Sequence, residues 1–326
     1  MTDDKRVAVL GYGLAGSAFH PPFVAATPGL RLTAVVTGNA ERQAAVRERY
    51  PDTAVVSTVE EMLAQRPDLV VVDKPVAGTV AEVEMLRDLA DSTGALFTVF
   101  QNRRWDGDFR TVRDLLRSGR LADVSRFESR FERAGRPGAR SAWKTSTDPL
   151  DLAHIGYDLG SHLVDQAIVA FGPVEWVYAE ASSPRAEVLV EEDATILLRH
   201  VSGVRSCLRM SNAVQPAAPR FAVLGASASY RCWGLDPQEK ALRAGTRPTD
   251  AGFGVYPQSQ WGALVTDAGT EEVPTLDGDY LSFWAAVEAS LRGEGAPPVP
   301  AEESVRLVRT LTAALRSVRD GVPVVP

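Results

Sequence analysis

The first third of the chain alternates short apolar runs with segments whose apolar residues recur at helical spacing. Val7–Leu10, Leu30–Val36, Ala54–Val56, Leu69–Val72 and Leu96–Phe100 are brief, rich in Val and Leu, and bounded by Gly, Pro or Asp. Such runs suit strands buried on both faces. Between them, Ala40–Tyr50, Val59–Gln65 and Thr79–Ser92 read as helices. In the last, Val80, Val83, Leu86, Leu89 and Ala90 form one stripe that faces a sheet. Strand, helix, strand in repetition predicts right-handed crossovers and a doubly wound parallel sheet. Asp108–Leu116 predicts one more helix, stopped at Ser118-Gly119.

After about Leu121 the pattern changes. Val124–Glu132, Val174–Ala181, Ala194–His200, Val204–Met210 and Phe221–Trp233 read as longer strands. Val204, Ser206, Leu208 and Met210 share one side, and Arg205, Cys207 and Arg209 the other, as in an antiparallel sheet with one covered face. Successive strands without helices between them argue for a second, α+β domain. Gly156–Phe171, Tyr280–Arg292 and Ala301–Arg319 predict helices, and Ala134–Pro149 an irregular loop. The predicted class is α/β: a parallel sheet domain over residues 1–121, then an α+β domain with a large, mostly antiparallel open sheet over 122–326.

Composition narrows the function classes. The chain has 326 residues and a net charge of −7, which removes the broad attraction that nucleic acids and anionic membranes require. No apolar run approaches the ~18 residues of a membrane helix, and Asp3 and Asp4 replace the basic start of a secretory signal. Cys207 and Cys232 lack CxxC spacing, which fits a reducing cytoplasm. Lysine occurs only at Lys5, Lys74, Lys144 and Lys240, so a lysine in a special place needs a reason.

Gly11-Tyr12-Gly13-Leu14-Ala15-Gly16 follows the first strand directly. Gly11 allows the turn, Gly13 lets backbone approach a pyrophosphate, and Gly16 lets helix and strand pack closely. The following helix then offers free N–H groups to phosphate. An NAD site usually carries an acid about 20 residues on. Here the second strand ends Val35-Val36-Thr37-Gly38-Asn39, with no Asp or Glu between Asp4 and Glu41. Thr37, Asn39 and Arg42 can donate to a 2′-phosphate, so NADP is favoured. In the alternative, Thr37 and Asn39 only shape a turn and NAD is also used.

Asp73-Lys74-Pro75 closes the strand Leu69–Val72, at the strand end where open parallel sheets bind ligands. Lys74 there can bind a substrate hydroxyl and steady a developing alkoxide. The plain alternative is a surface lysine paired to Asp73. Asp158 and His162, four residues apart, are expected on one helix face, His162 as acid/base and Asp158 to orient it or bind substrate. Their plain reading is a helix-start carboxylate and a packed core histidine. His20, His154 and His200 lack such a partner and read as structural.

These residues resemble the Gfo/Idh/MocA oxidoreductases, and the resemblance spans essentially the whole chain. A bacterial subgroup with NADP-dependent scyllo-inositol dehydrogenases is similar through Gly11–Pro22 (GYGLAGSAFHPP), Phe100–Phe109 (FQNRRWDGDF), Tyr157–Gln166 (YDLGSHLVDQ) and Gly234–Gly245 (GLDPQEKALRAG). Thr37–Arg42 (TGNAER) is similar to the NADP-contacting turn of glucose–fructose oxidoreductase. The resemblance implies a Rossmann domain, then a sheet domain, with the site in the cleft between them. It carries over Lys74, Asp158 and His162 as the catalytic trio. Cofactor contacts are implied at Gly11, Tyr12, Gly13, Leu14, Ala15, Gly16, Thr37, Asn39, Arg42, Lys74, Pro75, Gln101 and Asn102. Substrate contacts are implied at Lys74, Arg103, Trp105, Tyr157, Asp158 and His162. No metal is implied.

Two departures from the family pattern stand out. Asp73 precedes the Lys-Pro pair where the family commonly has Glu. Asp148–Ile155 (DPLDLAHI) replaces a Gly-rich run expected near the substrate, so inositol specificity does not carry over. The expected activity is therefore hydride transfer between a nicotinamide and a sugar, inositol or other polyol, by a homodimer or homotetramer. A non-catalytic dinucleotide sensor and a nicotinamide-dependent glycosidase are the rival readings.

Overall fold

A computed structural model describes residues 4–74, 76–135, 152–186 and 188–326. Strands β1 (Lys5–Leu10), β2 (Leu30–Val36), β3 (Ala54–Val56), β4 (Leu69–Asp73) and β5 (Val99–Phe100) form a parallel sheet in the order β3-β2-β1-β4-β5. Helices α1 (Leu14–Ala18), α2 (Pro21–Ala26), α3 (Ala40–Arg49), α4 (Val59–Leu63) and α5 (Val80–Thr93) connect them. Thr58 with Glu61 and Thr79 with Glu82 make capping boxes that start α4 and α5, and Gly94 ends α5 at φ +68°.

Two expectations change here. The run Leu96–Phe100 pairs only through Val99–Phe100, and at Thr98 the side-chain Oγ1 bonds the backbone of Val299. Leu89 is not part of the buried stripe: it is 59% exposed. Helix α5 packs mainly on the C-terminal helix, where Val83 meets Val305 and Val308, and that contact sets its rotation.

Helix α6 (Gly107–Arg117) leads to the second sheet, ordered β13-β12-β11-β10-β6-β9-β8-β7. Its strands are β6 (Val124–Glu132), β7 (Val174–Ser182), β8 (Asp193–His200), β9 (Arg205–Ser211), β10 (Phe221–Gly225), β11 (Ala228–Cys232), β12 (Gly262–Thr266) and β13 (Gly269–Val273). Only β6 and β9 pair in parallel. The run Phe221–Trp233 is thus a hairpin and not one strand. It reverses after Gly225, where a Cβ would lie 2.3 Å from the Ala122 carbonyl oxygen. Strands β12 and β13 had no sequence counterpart.

Phe127, Phe131, Ile196, Leu208, Met210, Phe221 and Tyr230 fill the covered face of this sheet. Helices α7 (Ile155–Asp158), α8 (Gly160–Phe171) and α11 (Ala301–Asp320) pack on that face. The opposite face carries Arg126, Leu197, Cys207, Arg209, Leu224 and Arg231, half-buried or exposed. The loop predicted over Ala134–Pro149 lies outside the described residues beyond Gly135. A short α9 (Gln238–Arg243) precedes β12, and after β13 the chain returns to the first sheet. There α10 (Tyr280–Leu291) sets Phe283 and Trp284 among Phe23 and Phe100. Among the described residues, no helix is long and apolar enough to cross a membrane.

Candidate active site

The glycine turn joins β1 to α1. Gly11 sits at φ +85°, and a Cβ on Gly16 would fall 2.0 Å from the Gly11 carbonyl oxygen, so both positions need glycine for the protein's own packing. Gly13 differs. A Cβ there would meet no described atom within 4 Å, so the protein's own packing does not require glycine, and close approach of a pyrophosphate is the use it leaves open. Leu14 and Ala15 open α1. The Tyr12 side chain is buried in the core, and burial raises its pKa against the nearby charge of Arg49.

At the end of β2, Thr37 is buried, and its carbonyl accepts from Gln43 Nε2 at 2.8 Å. Asn39 caps α3, its Oδ1 accepting from Arg42 N at 3.0 Å. These two therefore shape the turn. Arg42 is exposed and lines an open groove with Tyr12, Ser17 and Arg49, in which Glu41 and Glu48 also stand. The residues present fit a dinucleotide.

Lys74 follows β4, its N–H donating to Asp73 Oδ1 at 2.9 Å. Its Nζ crosses to the second domain and donates to the Asp158 carbonyl oxygen at 2.5 Å, with Asp158 Oδ1 at 3.4 Å. Asp158 and His162 are each 5% exposed. They do not share one helix: Asp158 ends α7, Leu159 forms the joint, and His162 lies in the first turn of α8. The break leaves the Asp158 carbonyl available to Lys74. Tyr157, on the same turn, donates its hydroxyl to the Gly78 carbonyl at 2.7 Å, a second link to the segment after Lys74. Pro75 lies outside the described residues.

The other expected contacts fall deeper. Gln101 is 2% exposed, and its Oε1 has no hydrogen-bond partner among the described residues. Asn102 donates to Tyr280 Oη at 3.3 Å. Arg103 does not reach Lys74, Asp158 or His162: its guanidinium is held by Asp106, Glu239 at 2.6 Å and the Tyr280 hydroxyl. Trp105 packs edge-on against Phe283 and likewise stays with α10.

Residues with no expected role hold this arrangement in place. Arg104 grips Asp165 through two hydrogen bonds, 2.7 and 2.6 Å, and also binds Glu303. Gln166 donates to the Arg103 carbonyl at 2.8 Å and accepts from Arg220 at 3.0 Å. Asp165 and Gln166 are the next turn of α8 after His162, so this clamp sets the height of α8 against the turn that follows β5. Removing one partner of a buried pair usually costs ~3–5 kcal/mol. Beside it, burial pushes Asp108 up to about 7 despite Arg220, and burial with the Asp106 charge pushes Asp236 up to about 8. Among the described residues no His, Cys, Asp or Glu group is placed to hold a metal ion.

Residues 5–73 match the oxidoreductase family with an NAD-binding Rossmann fold, and residues 109–231 match the GFO/IDH/MocA C-terminal domain. The chain is 31% identical to scyllo-inositol 2-dehydrogenase (NADP(+)) IolW of Bacillus subtilis, over 98% of this chain and 95% of that one. It is 27% identical to D-apiose dehydrogenase of Paraburkholderia graminis, over 80% of this chain and 67% of that one. Among solved structures, the oxidoreductase yvaA from Bacillus subtilis superposes with a TM-score of 0.92 at 29% identity, covering 100% and 99% of the two chains.

Proposed function

The chain belongs to the Gfo/Idh/MocA oxidoreductase family, and we propose that it transfers a hydride between NADP(H) and a sugar, inositol or other polyol, or its keto form. The observation that carries this reading is the contact between Lys74, at the end of β4, and Asp158, with His162 in the first turn of α8. A bound nicotinamide supplies the hydride acceptor or donor. Lys74 Nζ steadies the substrate oxygen as charge develops on it. The His162 imidazole takes the hydroxyl proton in oxidation and returns it in reduction. Asp158 holds Lys74 through its carbonyl and leaves its carboxylate near the reacting hydroxyl.

NADP as the preferred cofactor rests on the absence of an acid from the end of β2 to Ala40, and on exposed Arg42, which follows Glu41 in the first turn of α3. The relative IolW is named for NADP(+), which supports the same preference. The division at 1–121 and 122–326 is part of this proposal, the first part for dinucleotide and the second for substrate and assembly. The open face of the second sheet suits a C₂ homodimer. Light scattering at micromolar concentration is expected to give twice the chain mass or more, and a monomer mass contradicts the assembly.

The direct test follows nicotinamide absorbance with purified protein, NADP or NAD, and a panel of inositols, aldoses and keto-sugars. Net reduction of NADP by a free polyol, or net oxidation of NADPH by a keto-sugar, is the expected result. Aglycone release from a glycoside without net cofactor change would instead support the glycosidase reading.

A further inference from the structure

His154 caps the segment that carries Asp158. The Gly156 N–H donates to His154 Nδ1 at 2.9 Å, and the N–H groups of Tyr157 and Asp158 donate to its carbonyl at 2.9 and 3.1 Å. The ring lies over Gly156 so closely that a Cβ there would be 2.9 Å from Nδ1. The opposite surface of this turn meets the first domain, through Tyr157 to Gly78 and Asp158 to Lys74.

A ring nitrogen that accepts an N–H bond carries no proton, so the neutral imidazole bears its hydrogen on Nε2. Nε2 faces Glu191 Oε2 at 3.8 Å. We propose that His154 is a positioning residue for the reaction: its unprotonated Nδ1 holds the Gly156–Asp158 turn against Lys74, and protonation releases it. The imidazolium has only donors, so Nδ1–H would oppose the Gly156 N–H.

Among the described residues, the charged groups around the ring are few. Glu191 faces it from the loop before β8, Glu180 shares its cavity from β7, and Tyr157 and Asp158 lie on its own turn. From α11 the same cavity receives Leu311, Ala314, Leu315 and Val318, which are apolar. Burial lowers the His154 pKa and Glu191 opposes this, so release falls on the acid side of the ordinary histidine range.

The catalytic consequence rests on the activity proposed above, while the hold on the turn does not. The test pairs amide hydrogen exchange of the segment containing Gly156–Asp158 with kcat/KM, both from pH 5 to 8, in wild type and His154→Asn. Asparagine can accept the same N–H bond and does not titrate. Corrected for intrinsic exchange, the wild-type segment should exchange about tenfold faster at pH 5 than at pH 7, and the variant should not. The variant should keep kcat within about threefold at pH 8 and lose one proton's steepness from its acid limb. Equal pH dependence of exchange in both proteins would overturn the hold, whether or not any polyol is turned over. Altered exchange beside an unchanged acid limb would overturn the catalytic role alone. Should His154→Asn not fold, ¹⁵N NMR of wild-type histidines decides: an Nδ1-protonated His154 at pH 8 overturns the proposal.

Discussion

Lys74 and Asp158, 84 positions apart in the chain, meet with the lysine Nζ nearer the Asp158 backbone carbonyl than its carboxylate, 2.5 against 3.4 Å. Backbone thus sets the lysine's position, and the side chain of Asp158 is left to act on substrate or to tune charge. Asp158→Asn, which retains the carbonyl, should lower kcat by about tenfold, whereas Lys74→Met should lower it ~10²–10³-fold by removing the cation from the developing alkoxide. Steady-state kinetics on the two variants checks the order. An Asp158→Asn loss as large as that of Lys74→Met would mean that the carboxylate itself binds the reacting hydroxyl.

The proposed preference for NADP predicts a role for Arg42, which is exposed, while Asn39 is occupied in capping α3. Arg42→Ala should raise the KM for NADP(H) about tenfold, the scale of one charge-assisted hydrogen bond at a wet surface, and leave that for NAD(H) within about twofold. A wild-type protein that uses NAD equally well contradicts the assignment.

His20 predicts an acid-sensitive fold. Its ring lies against Phe100 and Trp284, 2% exposed, and neither ring nitrogen has a hydrogen-bond partner among the described residues. Burial lowers its pKa, with the Asp73 charge opposing. The unfolded chain takes up a proton here below about pH 6.5 and the folded chain does not. Its contribution is therefore constant above that pH and is lost on acidification, by at most ~1.4 kcal/mol per pH unit. His20→Phe should flatten the fall in Tm between pH 7 and 5, measured by calorimetry at matched ionic strength. Parallel curves for the two proteins would remove His20 from the acid response.

Much of this was legible in the sequence, and the rest was hidden for identifiable reasons. The parallel strands show as short apolar runs because both their faces are buried. Gly11, Gly16 and Lys74 are legible because backbone geometry and rarity single them out. Strand β13 escaped because Gly269–Val273 is an edge strand with exposed Glu271 and Glu272 and one apolar residue, Val273; β12 escaped because its apolar part is only Ala263–Val265. The break between α7 and α8 is invisible to helical spacing, since Leu159 keeps near-helical angles, φ −104° and ψ −36°. Arg103 has the residue type of a substrate contact, and only the fold reveals that Asp106 and Glu239 claim it. The same holds for Arg104 and Asp165, a buried pair 61 residues apart.

The central claim is that His162 exchanges the proton while Lys74 steadies the oxygen. His162→Ala, shown to be folded by circular dichroism, is the most direct probe, with turnover and NADP(H) affinity measured on the same preparation. General acid–base catalysis contributes ~10²–10⁴-fold, so kcat should fall on that scale while the dissociation constant for NADP(H) stays within about threefold. A folded His162→Ala protein that turns over near the wild-type rate would contradict the account.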